Sequence, residues 1–178
     1  MGKEVLIISA SPRKGGNSDT LCDQFMKGAE KAGYKVEKLR LAELNIGYCS
    51  ACYACKRLGH CVKKDDMAQV VDKMRAADVI VLATPVYFYT MNAQLKTMID
   101  RFYARNAALA EKHMKAAVIA TAWDDNETVM KAFAAHMEAL FDYLQFERCG
   151  MLLARGAGTV EMMPQRYRQK AYDMGRRL

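Results

Sequence analysis

Around residue 5 the chain reads Val5-Leu-Ile-Ile-Ser-Ala-Ser-Pro-Arg-Lys-Gly-Gly-Asn-Ser18, an apolar run followed by a polar turn. Residues 5–8 have the length and composition of a strand that is buried on both faces. Apolar side chains at helical spacing follow the turn, at Leu21, Cys22, Phe25, Met26 and Ala29. A strand, a polar loop and a helix start bring free backbone N–H groups and the positive end of the helix dipole to one point. The pattern predicts either an anion-binding turn or an ordinary strand–helix connection with Asn17 as the N-cap.

The side chains of this turn favour an anion that is bound but not transferred. Hydroxyl and amide groups are offered by Ser9, Ser11, Asn17 and Ser18, and Arg13 adds a positive charge. The turn has neither the Lys-Ser/Thr ending of an NTPase P-loop nor the GxGxxG pattern of a dinucleotide-binding fold. A phosphate held mainly by neutral donors is therefore the ligand that the turn predicts.

Strand-like and helix-like segments alternate along the whole chain. Strands are predicted at residues 4–9, 35–41, 78–83, 115–121 and 146–153. Helices are predicted at residues 17–32, 92–104 and 127–144, from Asp65 or Asp66 onward, and from Pro164 with this proline in the first turn. Alternation of this kind predicts an α/β fold, a flavodoxin-like doubly wound five-stranded parallel sheet of order 2-1-3-4-5 with helices on both faces. We expect residues 1–178 to form a single domain with a cysteine-rich loop at residues 42–64.

Composition and charge narrow the classes of partner. The chain has 178 residues, of which 52% are hydrophobic and 26% are charged, and its formal net charge is +7. Its basic residues are scattered and no nucleic-acid-binding module is recognisable, so we expect no nucleic-acid partner. No apolar run is long enough to cross a bilayer and no signal-peptide pattern is present, so we expect a cytoplasmic protein without a membrane partner.

Two further loops are expected at the sheet edge that carries the first turn. The loop Thr84-Pro-Val-Tyr-Phe-Tyr-Thr-Met91 follows the third strand and contains three aromatic residues. Apolar bulk on a loop indicates either a flat ring system bound there or contact with a partner subunit. The loop Ala122-Trp-Asp-Asp-Asn126 follows the fourth strand, and Trp123 is either a stacking group or a surface side chain at the edge of the core.

Six cysteines are present, and four of them fall in one loop as Cys49-x2-Cys52-x2-Cys55-x5-Cys61. Cys22 and Cys149 lie in predicted regular structure, and we expect them to be small buried core residues. A disulfide framework is not expected in a cytoplasmic chain of this size. Three cysteines at intervals of three are typical of [4Fe–4S] loops, although the fourth spacing and the lack of a following proline depart from the ferredoxin run. Zinc and free or redox-active thiols remain the alternatives.

The motifs together resemble a known family. Ser-x-Arg-x-x-x-Asn-Ser after the first strand, Thr-Pro-Val-Tyr-x-x-x-Met after the third and Lys96-x-x-x-Asp100-Arg101 resemble the NADPH-dependent FMN reductase branch of the flavodoxin-like superfamily. The resemblance covers essentially the whole chain and implies FMN as cofactor. It implies that the phosphate is bound by Ser9, Ser11, Arg13, Asn17 and Ser18, and the ring edge by Pro85, Val86, Tyr87 and Phe88. The segment Trp123-Asp124 would then cover the remaining side of the ring.

The cysteine motif, with Gly59 before Cys61 and Asp65-Asp66-Met67 after it, resembles the iron–sulfur flavoprotein subgroup. This resemblance implies a [4Fe–4S] cluster on Cys49, Cys52, Cys55 and Cys61 that exchanges electrons with FMN. The implied activity is that of an NAD(P)H-dependent flavin oxidoreductase, without a catalytic side chain because the flavin carries the chemistry. The implied acceptor is a flavin, a quinone or a similar small molecule, or a redox protein, and the implied assembly is a homodimer or homotetramer. A flavodoxin-like electron carrier and a metal- or thiol-sensing protein are the alternatives.

Overall fold

The computed structural model describes residues 3–178, and its centre is a parallel sheet. Its strands are β1 (Glu4–Ser9), β2 (Lys35–Arg40), β3 (Val79–Tyr87), β4 (Thr90–Met91), β5 (Lys115–Thr121) and β6 (Glu147–Ala154). The helices are α1 (Asn17–Lys31), α2 (Ala54–Leu58), α3 (Met67–Ala76), α4 (Ala93–Asp100), α5 (Asn106–Ala110), α6 (Thr128–Tyr143) and α7 (Gln165–Arg176). The strand order β2-β1-β3-β5-β6 confirms the doubly wound topology that the sequence predicts. Among residues 3–178, no helix has both the length and the apolar character needed to cross a bilayer.

The strand count differs from the prediction because of β4, which adds a sixth strand. It pairs antiparallel with the end of β3, with Val86 opposite Met91 and Tyr87 opposite Thr90. Phe88 and Tyr89 form the turn between the two strands, and both have positive φ values of 48° and 67°. A two-residue hairpin turn of this kind usually takes Asn or Gly, which is why the sequence reads as a loop here.

Apolar side chains on both faces of β1, β3 and β5 are buried beneath helices. One core layer packs the sheet against α3, α4 and α6, and the other packs it against α1 and α7. The edge strand β2 is only partly buried, in line with its imperfect alternation of apolar residues. This layering leaves the carboxyl ends of the strands free of helices, and ligands of doubly wound sheets bind at that edge.

Other elements also differ from the prediction, and β3 continues to Tyr87 although the sequence predicts that its strand ends at residue 83. The helix expected at residues 92–104 ends at Asp100 and continues as a 3-10 turn, Arg101–Ala104. The cysteine-rich loop contains the short helix α2. Pro164 precedes α7 as its N-cap and is not part of the first turn. The expectation of one domain over residues 1–178 stays a prediction, and its first two residues lie outside the described part of the chain.

The two helices α1 and α7 approach so closely that glycine is required at their contact. A Cβ atom on Gly28 would overlap the carbonyl oxygen of Tyr172, and one on Gly175 would overlap the carbonyl oxygen of Phe25. Both clashes are with backbone atoms, so a side-chain rotation cannot relieve them. The close packing of α7 onto α1 therefore depends on these two glycines.

We expect Gly28→Ala to destabilise the protein. Helix propensity alone would favour alanine by about 1 kcal/mol, but separating two helix backbones costs about 1–3 kcal/mol or more. Urea unfolding of the variant should show a lower free energy of unfolding. The exposed neighbour Lys27 provides a control, because Lys27→Ala should change it by less than about 0.5 kcal/mol. A Gly28→Ala protein as stable as the parent would contradict the packing described here.

Candidate functional site

The turn between β1 and α1 is held by its own polar groups. Gly15 has a φ of 68°, a conformation that glycine adopts without strain, and its N–H donates to Asp19 Oδ2 at 2.8 Å. The backbone N–H of Arg13 donates to Ser11 Oγ at 3.2 Å. Gly16 is the N-cap of α1, which corrects the alternative expectation that Asn17 has this role. Within residues 3–178 no side chain caps α1, so the N–H groups of its first turn remain available to a ligand.

A cavity of about 410 Å³ lies at the carboxyl edge of the sheet, next to this turn. Eight of the eleven side chains predicted to hold a cofactor line it: Ser11, Arg13, Asn17, Ser18, Pro85, Val86, Tyr87 and Trp123. They come from the turn after β1 and the start of α1, from the carboxyl end of β3 and from the loop after β5, which the topology places side by side. The cavity is polar and positively charged at the α1 end and apolar at the β3 end. The three loops are therefore brought together as the sequence predicts.

The remaining three predicted side chains do not line the cavity. Ser9 is fully buried beneath the turn, and its hydroxyl donates to Asp19 Oδ1 at 3.2 Å. Phe88 is 97% exposed at the tip of the β3–β4 hairpin. The carboxylate of Asp124 accepts a hydrogen bond from the backbone N–H of Asn126 at 2.9 Å, which orders its own loop.

The cavity has a further wall that the sequence interpretation did not assign. Residues 157–161, which follow β6, line it together with Thr121 at the end of β5. The hydroxyls of Thr121 and Ser18 lie 2.7 Å apart, which ties this wall to the first turn. A Cβ atom on Gly158 would lie 3.2 Å from the ring of Trp123, so the indole packs directly over this glycine. This wall could have been predicted from the strand order, because β6 neighbours β5 and its carboxyl end lies at the same edge of the sheet.

Asn17 links the two walls and keeps one atom unused. Its side-chain N–H donates to the carbonyl oxygen of Ala157. Its Oδ1 is buried and has no hydrogen-bond partner among the described residues. A buried acceptor without a partner is costly, and a hydroxyl group of a bound ligand would satisfy it.

A buried carboxylate supports the turn from below. Asp19 is 3% exposed and forms ion pairs with Lys38 at 3.1 Å and Arg40 at 3.0 Å, both from β2. Burial acts to raise the pKa of Asp19, but the Gly15 N–H and the two cations outweigh it and hold the pKa of this carboxyl below its usual value. The negative charge is thus offset locally and does not repel an anion bound above the turn.

We expect Asp19→Asn to lower the free energy of unfolding by about 2 kcal/mol at pH 7, because Lys38 and Arg40 would lose a buried partner. Since the folded pKa lies below the unfolded one, the contribution of the carboxylate is complete above about pH 4 and is lost as the pH falls through the folded pKa. The difference in free energy of unfolding between the parent and Asp19→Asn, measured with urea, should therefore be smaller at about pH 3 than at pH 7. The exposed Asp72 provides the control substitution to Asn. A difference that stays constant from pH 7 to 3 would contradict the assignment.

The four cysteines of the loop line a second cavity, of about 320 Å³. The loop turns sharply there, with left-handed backbone at Ala51 and Tyr53. Among residues 3–178, no three His, Cys, Asp or Glu side chains are placed to hold a single metal ion. A cubane cluster spreads its four thiolate ligands over four irons, so it accommodates sulfurs that are too far apart to share one ion.

The other two cysteines have a different environment. Cys22 is fully buried in the core, as predicted, and burial raises its pKa. Cys149 on β6 is only half-buried, and burial raises its pKa to about 11. Both are held as neutral thiols, which are poor metal ligands.

The family model described as NADPH-dependent FMN reductase matches residues 4–146. The chain belongs to this family. Within the family it is similar to an iron–sulfur flavoprotein of Archaeoglobus fulgidus, with 38% identity over 108 residues, which cover 60% of this chain and 49% of the relative. An iron–sulfur flavoprotein of Methanosarcina thermophila matches with 38% identity, over 59% of this chain and 56% of its own length. The alignments thus span about half the length of these relatives.

Solved structures of FMN reductase-like fold also superpose on this chain. An NAD(P)H:quinone oxidoreductase from Methanothermobacter marburgensis has a TM-score of 0.75 at 18% identity, covering 99% of this chain and 94% of the other. An FMN-dependent NADH-azoreductase from Bacillus anthracis in complex with FMN has a TM-score of 0.68 at 16% identity, covering 98% and 97%. At these identities the likeness establishes the fold.

The residues of the first cavity fit FMN, which the family's description names, and those of the second fit the iron–sulfur group that the names of the two relatives contain. FMN has a phosphate, a chain of hydroxyls and a flat ring, and the first cavity has a charged turn, the unpartnered Asn17 Oδ1 and an apolar end with Trp123. An iron–sulfur cluster requires thiolates, and the second cavity has four cysteines.

Proposed function

We propose that the protein is an NAD(P)H-dependent FMN oxidoreductase that also holds a [4Fe–4S] cluster. The observation that carries the proposal is the single cavity formed by the loops after β1, β3, β5 and β6, which is cationic at one end and apolar at the other. The four cysteines that line a second cavity support the cluster.

Each part of the first cavity has a role in binding FMN. Arg13, the hydroxyls of Ser11 and Ser18 and the N–H groups of the first turn of α1 bind the phosphate. Pro85, Val86 and Tyr87 lie along the ring edge, and Asn17 Oδ1 accepts from a hydroxyl of the ribityl chain. Ser9 acts indirectly, because it bonds to Asp19 beneath the turn. Bound FMN supplies hydride chemistry, while the protein orients it.

Two exposed aromatic side chains, Tyr87 and Trp123, line the cavity, and the β3–β4 hairpin beside it carries two more. Tyr87 is 44% exposed, Tyr89 is 56% exposed, Trp123 is 69% exposed, and Phe88 is almost fully exposed. A nicotinamide or a flat acceptor can stack on such groups. We propose that the acceptor is a quinone, a flavin or a redox protein, and that the aromatic hairpin also contacts a second copy of the chain in a homodimer or homotetramer.

Turnover with a small acceptor tests the oxidoreductase directly. The protein, purified without air and supplied with FMN, should oxidise NADPH or NADH continuously when a quinone is present. Flavin-depleted protein to which no FMN is added should not oxidise NADPH or NADH. A single reduction of the bound flavin without further turnover would instead indicate an electron carrier, and no reduction at all would contradict the proposal.

A further inference from the structure

Arg101 is a buried cation that no role described so far uses. It lies in the 3-10 turn after α4, is 3% exposed and lines the cavity formed by the four cysteines. A buried guanidinium is expensive unless its charge and its N–H groups are matched. Its partners therefore indicate why the chain keeps it there.

Most of its hydrogen-bonding groups hold the two ends of the cysteine loop together. Arg101 donates to both carboxylate oxygens of Asp65, at 2.6 and 2.9 Å, and to the carbonyl oxygen of Gly47 at 2.6 Å. Asp65 Oδ2 in turn accepts from the N–H of Gly47 at 3.0 Å. Gly47 lies just before Cys49 and Asp65 just after Cys61, so one guanidinium closes the loop at its base.

One nitrogen of the same side chain takes no part in these hydrogen bonds. The Nε atom of Arg101 is buried and has no hydrogen-bond partner among the described residues. The pKa of Arg101 is raised by its hydrogen bond to Asp65, and the neighbouring Cys61 adds to this effect. A buried donor without a partner is unfavourable, and a sulfur acceptor at the neighbouring cysteine site would satisfy it.

We propose that Arg101 is the positioning residue of the four-cysteine site, closing the loop through Asp65 and Gly47 and offering its Nε–H group to the sulfur ligands. The inference rests on the cluster of the proposed function and extends it. Hydrogen bonds to sulfur set the reduction potential of iron–sulfur clusters, because they stabilise the more negative, reduced form. Arg101 therefore raises the potential as well as retaining the iron.

The test compares Arg101→Gln with Asp65→Asn and with the control Lys56→Gln. Lys56 is an exposed cation next to Cys55, so its removal changes the charge near the site without removing a buried donor. Iron per chain is measured after purification without air, and the cluster potential is measured by a dye-mediated spectroscopic titration. FMN affinity is measured on the same samples and reports whether the sheet is folded.

Arg101→Gln should lose about half or more of the iron. In the cluster that remains, the ratio of reduced to oxidised form at a fixed potential should fall about tenfold, which is about 59 mV for one electron. Asp65→Asn should also lose iron, but its potential should not fall, because it leaves the N–H groups and charge of Arg101 in place. Lys56→Gln should change neither quantity by more than about twofold, since water screens its charge.

Three results would overturn the inference. The first is a cluster potential in Arg101→Gln equal to that of the parent, and the second is a potential in Lys56→Gln that shifts as much as in Arg101→Gln. The third is a potential in Asp65→Asn that falls as much as in Arg101→Gln, which would mean a purely structural role for Arg101. If Arg101→Gln retains no cluster, Arg101→Lys replaces it in the comparison, because lysine keeps a cation beside Asp65 but has no Nε–H group. Its ratio of reduced to oxidised cluster should then fall about tenfold, and a ratio equal to that of the parent would overturn the inference. A parent protein that binds FMN but holds no iron would overturn the cluster of the proposed function as well. A parent with about four irons and unaffected variants would overturn the inference alone.

Discussion

Changing Arg13 and Asn17 together to alanine is expected to weaken FMN binding about a hundredfold. Arg13 lines the cavity at the first turn, where we propose that the phosphate binds, and Asn17 joins the turn to the opposite wall through Ala157. A hundredfold loss corresponds to about 2.7 kcal/mol, which is modest for one charged and one neutral hydrogen-bonding group. Quenching of FMN fluorescence during titration with flavin-depleted protein measures it.

A matched pair outside the cavity controls for general damage. Arg148 and Asn106 are also one arginine and one asparagine, and they contact Asp142 and Tyr143 on the surface. Changing both to alanine should leave FMN affinity within about twofold of the parent. If the Arg13 and Asn17 variant bound FMN as tightly as this control, the phosphate would not lie at the first turn.

Cys55→Ser is expected to remove the cluster. Cys55 lies in the first turn of α2 and lines the second cavity with the other three cysteines of the loop. Serine is a much weaker iron ligand than a thiolate, so iron should fall from about four to fewer than one per chain. Iron analysis and the visible spectrum of protein purified without air measure this loss.

Cys149→Ser is the control for Cys55→Ser, because it removes a sulfur that lies outside the cavity. Cys149 is a half-buried neutral thiol on β6. Its replacement should leave the iron content unchanged. Equal iron in Cys55→Ser and in the parent would exclude Cys55 as a ligand, and equal loss in both variants would indicate general destabilisation.

The sheet could be predicted because its interior strands are continuous apolar runs. The runs at β1, β3 and β5 are buried on both faces, and alternation with helices dictates parallel pairing. The topology then places the loops after β1, β3 and β5 at one edge, which accounts for the eight predicted side chains that line the first cavity. The same reasoning extended to β6 would have added residues 157–161.

Local geometry explains two of the predicted residues that lie elsewhere. Side chains of a strand alternate between faces, so Ser9 shares the α1 face of β1 with Val5 and Ile7 and points beneath the turn. Phe88 is at the tip of a hairpin whose turn residues, Phe88 and Tyr89, are unusual at positive φ, so no pattern predicted the turn. The ion pair of Arg101 with Asp65 joins residues 36 positions apart, and only the folded chain brings them together.

The most direct measurement is the absorption spectrum of protein purified without air, with iron and flavin determined on the same sample. The proposed function predicts flavin bands together with a broad absorption that bleaches on reduction, and about four irons and one FMN per chain. Flavin without iron would indicate a simple FMN reductase in which the four cysteines are free thiols. A spectrum that shows neither flavin nor cluster absorption, even after FMN is added, would contradict the function proposed for both cavities.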